Sequence, residues 1–443
     1  MKKRSIVAIL LIAIMIMGSF SACGKSSKKE EESTTTKDGK SVLKLWTFVD
    51  LHGEFFQEMA ESWNEENPDR QIEVDVNVLP YEDMHNKLQI ALSSGEGTPD
   101  FVDIEVSRFA NFTQGTPALL DLSKYAKPYE ADVVKSRLEL YTTDGKLYGM
   151  PTHVGTTVAF YNTELLDAAG IDYTTLKTWD DFKAAGTKYF EATGKHLGNI
   201  DTSALFQMNL QLAQRGTDWV DKDDNVKVNT PEIIDALSQV KELADANAIA
   251  TIPTGQTAME EAYGSINEGD FAAVIMPEWY MSRYLNYMPD LNGKIAIATP
   301  PVNSDSVNQS VGLGGTGTAV VADKPNAELA GEFIAYAKLS YEGGVKIWDK
   351  LGFDPVNTKV WEDDAVTHNP DNQYNKYFQN NIFDVLSEMK DGLAIQKSFA
   401  LPVYPSIDVE MGTVTLNEVF ENGADVKKSL DTAQEDLETE LGL

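Results

Sequence analysis

One cysteine, Cys23, stands among 443 residues. It excludes an intrachain disulfide and any cysteine-cluster zinc or iron–sulfur centre. Histidine is scarce too: five, scattered along the chain, which argues against a histidine-rich metal centre. Positive charge is in deficit. Lys and Arg number 37 against 69 Asp and Glu, a formal net charge of −32. So acidic a surface opposes binding to nucleic acid, whose phosphates need a basic footprint, and opposes wide contact with anionic lipid. The apolar run Ile6 to Met17 is too short for a membrane span, which needs about 20 residues. What is there is 42% apolar and 24% charged, the balance of globular protein, and long enough for two or three domains.

Lys2, Lys3 and Arg4 precede the apolar run, and Ser21 and Ala22 follow it, so residues 1–22 read as a secretion signal. Phe20-Ser21-Ala22-Cys23-Gly24 resembles a bacterial lipobox, with Phe where Leu or Val is usual. The resemblance implies an acylated Cys23 as the new N-terminus. The attached acyl chains would anchor the protein to the lipid bilayer at the outer face of the bacterial cytoplasmic membrane. The alternative is a plain cleaved signal beside an incidental cysteine. Residues 24–41 contain no apolar side chain, so 23–41 reads as a flexible tether. Removal of the signal takes three basic residues and no acidic one, leaving a net charge of about −35.

The body opens with a short strand from Leu43 to Phe48. Gly53 to Asn64 places Phe56, Met59, Ala60 and Trp63 on one helical face. Ile72 to Val78 alternates strictly, as a strand with one wet face does. A helix over 82–93 and a strand over 101–106 follow, which predicts parallel crossovers in an α/β layered lobe. A second series begins near 155, with a strand at 158–161 and a helix from Asn162 ending at Gly170. Thr178 and Asp181 have capping-box spacing, and Phe271 to Met276 reads as a central strand. Helices are expected over 327–340 and 408–441, with Trp63 and Trp348 in the core.

Taken in order, Lys44-Leu45-Trp46-Thr47, Trp63-Asn64, Asn67-Pro68 and Thr98-Pro99-Asp100-Phe101-Val102-Asp103 form a series. Gly149-Met150-Pro151, Phe160 to Leu166, Thr178 to Phe182, Ala273 to Trp279 and Pro355-Val356-Asn357 complete it. The series resembles the extracellular solute-binding proteins of sugar ABC importers, the maltose-binding-protein-like family, over roughly residues 42–440. Gly314 to Thr318 with Leu351 to Val356 looks most like its arabinose-, lactose- and arabino-oligosaccharide-binding members.

The resemblance implies a two-lobed α/β fold. Each lobe would be a mainly parallel sheet flanked by helices, with a ligand cleft and hinge between. The N-terminal lobe would take 42–152 and 302–342, the C-terminal lobe 153–301 and 343–443. It also implies a monomer that captures a mono- or oligosaccharide and delivers it unaltered to separate ABC permease subunits, without cofactor or metal. The lobes would hinge shut on the ligand.

Sugars stack C–H faces on aromatic rings and pair hydroxyls with polar groups. Candidates at strand ends are Trp46, Asp50 and His52, then Glu105, Ser107 and Arg108. Trp46 could instead be core, and Glu105 part of a surface ion pair. His153 and Thr156 sit at the first expected crossing between lobes; Gly155 or Thr156 stands where the family places a sugar-binding glutamate. Glu278, Trp279 and Tyr280 follow the apolar strand, with Trp279 the expected stacking ring; packing at the start of a helix is the other reading. Gly314 and Gly315 would let backbone approach the sugar, and Phe353, Asp354, Asn357 and Tyr404 lie in segments able to reach the cleft. The Gly-rich stretch lacks the Lys-Ser/Thr of a phosphate cradle.

Asp221 to Glu232 has the length of a calcium loop, but Val226 holds the glycine position, and a turn followed by a helix at Thr230-Pro231 explains it. Two other functions stay open. A secreted glycoside hydrolase could set Glu105 and Glu278 about a glycosidic bond, and a binding protein could take a non-sugar ligand such as peptide.

Overall fold

The computed structural model describes residues 35–389 and 392–443. The signal, Cys23 and residues 24–34 of the expected tether lie outside them. The tether's last residues are described, and Thr35 bridges Ser41.

Strand β1 (Ser41–Thr47) is followed by helix α1 (Asp50–Glu66), strand β2 (Ile72–Val78), helix α2 (Tyr81–Ser94) and strand β3 (Phe101–Glu105). β1 pairs in parallel with β2, Ser41 opposite Ile72, and with β3, Leu45 opposite Phe101. The strict alternation of β2 is seen in its burial: Ile72 and Val74 face the core, Glu73 and Asp75 face water. α1 buries Phe55, Phe56, Met59 and Trp63. Trp63 stands 6.0 Å from the Phe333 ring and 5.6 Å from Tyr336, on helix Ala327–Leu339. Removing a buried ring of this kind costs about 3–5 kcal/mol.

Two further strands complete the first sheet. Thr316–Val320 runs antiparallel to β3, and Met150–Pro151 antiparallel to that strand. The second sheet centres on Thr157–Asn162, wholly buried, with Ala273–Pro277 and Ile295–Ala298 antiparallel on either side. The parallel pair Gly198–Ile200 and Ile249–Thr251 extends it through the His196–Phe271 bridge. The α/β two-lobed architecture is as expected, and each sheet is mainly parallel with one strand reversed, Thr316–Val320 in the first and Thr157–Asn162 in the second. The cause is the path of the chain. A segment that has crossed to the other lobe re-enters the first sheet against the direction of β3, whereas local strand–helix–strand units enter with it.

Helix Trp179–Thr193 begins with the expected capping box between Thr178 and Asp181. The 408–441 helix is not continuous. It runs as a helical stretch over Tyr404–Phe420, widened at Glu410–Thr415, and resumes as Val426–Leu441. Gly423 at φ +68° breaks it, and the Asp425 side chain caps the new helix. Near the expected boundary at 342, the helical segment Tyr341–Leu351 serves both lobes. Lys346 and Lys350 pair with Glu58 on α1, while Trp348 packs on Tyr374 and Phe383. Among the described residues no helix is long and apolar enough to cross a membrane.

Candidate functional site

The chain passes between the sheets at three places: after Pro151, before Thr316, and around Asp354. His153 bridges Pro355, and Thr156 bridges Gly312. Asp354 is 1% exposed, and its carboxylate accepts from the backbone N–H of Val154, Gly155 and Thr156 and from the Thr156 hydroxyl. Glu278, equally buried, accepts from the Asp354 N–H at 3.2 Å. Burial first, and then the charge of Asp354, push the Glu278 carboxyl well above the usual carboxylate range. The expected ligand contacts Thr156, Glu278 and Asp354 therefore belong to the hinge itself.

Several other candidates are internal. The Asn357 side chain donates to Leu339 O and accepts from Lys359 N–H. The Tyr280 hydroxyl donates to Thr257 O, and Tyr404 accepts from Asn209. Trp46 is buried, with the Lys87 ammonium 4.1 Å above its ring. His52 is buried against Asp103 at 3.1 Å, and burial, reinforced by Lys338 and Arg283, holds its pKa below the usual value. His153 packs on Phe353, ring centroids 4.6 Å apart, and neither ring nitrogen has a hydrogen-bond partner. Asp50 is exposed in the first turn of α1.

The candidates left partly open sit at the mouth between the lobes. On the first lobe, Glu105 ends β3 and caps the turn Val106–Phe109, accepting from Ser107 N–H at 2.8 Å and from the Ser107 hydroxyl. The Tyr81 hydroxyl donates to it at 3.3 Å. Burial raises the Glu105 pKa against these hydrogen bonds. Arg108 pairs with Glu82 at 2.8 Å and lies 5.8 Å over the Tyr81 ring, which meets Phe48 edge-on at 5.2 Å. Beneath them His85 takes its tautomer from two bonds: Nδ1–H donates to Tyr81 O, and Nε2 accepts from Glu105 N–H. Burial lowers its pKa to about 4.

On the second lobe Trp279 is half-buried, edge-on to Phe206 at 5.7 Å, with the Arg283 guanidinium 5.7 Å from its ring. The segment Tyr404–Val409 packs against Val106–Phe109 across the gap. There burial, and then the charge of Glu105, raise the Asp408 pKa to about 6. At the hinge Arg137 donates to Gly314 O at 2.7 Å. Gly315 sits at φ +109°, and a Cβ there would come within 2.8 Å of Arg137 Nη2, so glycine is needed for this approach.

The open side chains are thus Trp279, Phe206, Tyr81 and Phe48 for ring faces, and Glu105, Ser107, Arg108, Arg283 and Asp408 for hydroxyls. Tyr81, Phe206, Arg283 and Asp408 were not legible as site residues. Arg283 had a signal: it lies four residues after Trp279, on the same face. A hydrolytic pair of Glu105 and Glu278 does not form, because Glu278 is bonded into the hinge. The Asp221 segment is a turn in which the Asp221 carboxylate accepts from Asp223 and Asn225. Among the described residues no three acidic, histidine or cysteine side chains gather to hold a metal ion.

The family model of the bacterial extracellular solute-binding protein matches residues 50–340. An arabinooligosaccharide-binding protein of Halalkalibacterium halodurans is 40% identical over 407 residues, covering 91% of this chain and 90% of its own. Another from Bacillus subtilis is 40% identical over 397 residues, covering 88% and 89%. The crystal structure of the cyclic alpha-maltosyl-1,6-maltose binding protein from Arthrobacter globiformis matches with a TM-score of 0.74 at 20% identity, over 90% of this chain and 99% of that one. These relatives are binding proteins, not enzymes. With a family match across most of its body and relatives this similar along nine tenths of its length, the chain belongs to the bacterial extracellular solute-binding protein family.

Proposed function

We propose that this protein is the lipid-anchored receptor of a sugar ABC importer and that its ligand is an arabino-oligosaccharide. The observation that carries the sugar class is the 40% identity, over about nine tenths of the chain, to two proteins named for arabinooligosaccharides. The mouth between the lobes supports it: Trp279 and Phe206 offer ring faces, and Glu105, Arg108 and Arg283 offer hydroxyl partners. A ligand touching both sets favours the closed form through contacts the open form lacks. The receptor acts as a monomer at the outer face of the membrane, held by acylated Cys23, and hands its cargo to separate permease subunits.

Calorimetry and thermal unfolding with arabino-, galacto- and malto-oligosaccharides test the ligand. Arabino-oligosaccharides of two or more residues should bind most tightly, and a concentration a hundred times Kd should stabilise the fold by about 2.7 kcal/mol. The sugar should be recovered intact. Binding confined to galacto- or malto-oligosaccharides would overturn the ligand assignment.

A further inference from the structure

Four stretches of chain are linked around Asp354, one of them through its carboxylate. Asp354 Oδ1 accepts from Val154 N–H at 3.1 Å and Gly155 N–H at 2.9 Å. Its Oδ2 accepts from Thr156 N–H at 3.1 Å and from the Thr156 hydroxyl at 2.7 Å. The Asp354 N–H donates to Glu278 Oε1, and the Glu278 N–H donates to Thr156 O at 2.9 Å. The third crossing joins through Gly155, whose carbonyl accepts from Leu313 N–H at 2.8 Å. Leu313 in turn accepts at its carbonyl from the Trp279 indole N–H at 3.2 Å. The path closes on itself, since Trp279 is the residue after Glu278.

From this ring of bonds we infer that Asp354 is a positioning residue of the hinge. Its carboxylate ties the 154–156 crossing to its own, and Gly155 passes that tie to Leu313 and so to the Trp279 ring at the cleft mouth, so that seating a ligand there and swinging the lobes are one event. The chemistry of the knot demands an acceptor. Four hydrogens converge on two oxygens, and three of them are fixed backbone N–H groups. Burial, and then the charge of Asp354, push the Glu278 carboxyl well above the usual carboxylate range. Crossings that moved separately would shear the Leu313–Gly155 contact, where a Cβ on Gly155 would already come within 2.4 Å of Leu313 O.

The ligand arm of this inference rests on the oligosaccharide reading; the hinge arm does not. The test uses the mature chain carrying Cys23→Ser, with spin labels at Asp69→Cys and Glu191→Cys, exposed sites on opposite lobes. Interlobe distances are measured without ligand, and Kd is measured for arabino-oligosaccharides. Thr156→Val removes one bond to Asp354 and keeps the shape; Asp354→Asn puts a donor where only acceptors fit. Thr156→Val should broaden the distance distribution and weaken binding by about tenfold, and Asp354→Asn should do more. Variants that lose melting temperature alone, with the parent's distance distribution, would overturn the inference. A parent that binds no arabino-oligosaccharide would count against the ligand assignment only, and the ligand-free distances would still decide the hinge.

Discussion

His52 Nδ1 stands 3.1 Å from Asp103 Oδ2, both side chains buried in the first lobe. Asp103 also accepts from Thr47 Oγ1 at 3.0 Å and Thr318 Oγ1 at 2.7 Å, and the buried Lys338 ammonium attracts it. Burial alone would raise the Asp103 pKa, but Lys338, His52 and Thr318 together hold it well below the usual carboxylate range. Asp103→Asn leaves the Lys338 charge buried without its counter-ion. The expected cost is about 3–5 kcal/mol, read as a lower denaturation midpoint with unchanged slope.

Asp201 gives a pH signature. Burial, opposed by hydrogen bonds from Thr257, raises its pKa to about 7. A folded-state pKa above the unfolded value favours the fold at low pH, and that contribution is lost as pH rises through about 7. Asp201→Asn should therefore gain melting temperature over the parent at pH 8, with the difference shrinking toward pH 5. Melting curves across pH 5–8 check it; a difference that does not vary with pH would refute it.

Trp279→Ala should weaken oligosaccharide binding by at least about 1 kcal/mol, roughly fivefold in Kd, through lost stacking. Calorimetry on a variant with intact circular dichroism is the measurement, and an unchanged Kd would remove Trp279 from the site.

Gly155→Ala places a methyl group 2.4 Å from Leu313 O at φ +79°. Strain in such a backbone conformation costs on the order of 1–3 kcal/mol, and the contact adds to it. A melting temperature equal to the parent's would show that the crossing is looser than its geometry implies.

Cys23→Ser tests the anchor. In a bacterial host the parent should partition with membranes and the variant with the soluble extracellular fraction. Equal partitioning would favour the plain cleaved signal.

Much of the architecture could be read from local pattern. β2 occupies the alternating stretch Ile72–Val78, and Thr178 with Asp181 starts its helix, because side-chain periodicity and capping act within a few residues. Strand direction could not be read this way, since Thr316–Val320 pairs with β3 more than 200 positions away in sequence. The site was harder for the same reason. Glu278 and Asp354 each follow a strand or loop in the manner of a ligand contact, yet they meet each other across 76 positions and turn inward. Arg283 and Asp408 enter the cleft mouth from helices whose aim depends on the packing of whole lobes.

The chain enters the body through β1, an inner strand of the first sheet. Any attachment upstream of Ser41 therefore holds the first lobe and leaves the second free as a swinging jaw. Eleven residues lie between Cys23 and Thr35, which bridges Ser41. Fully extended, that stretch spans at most about 43 Å, so the anchor proposed at Cys23 would cap the height of the jaw above the membrane and hold it near a permease there.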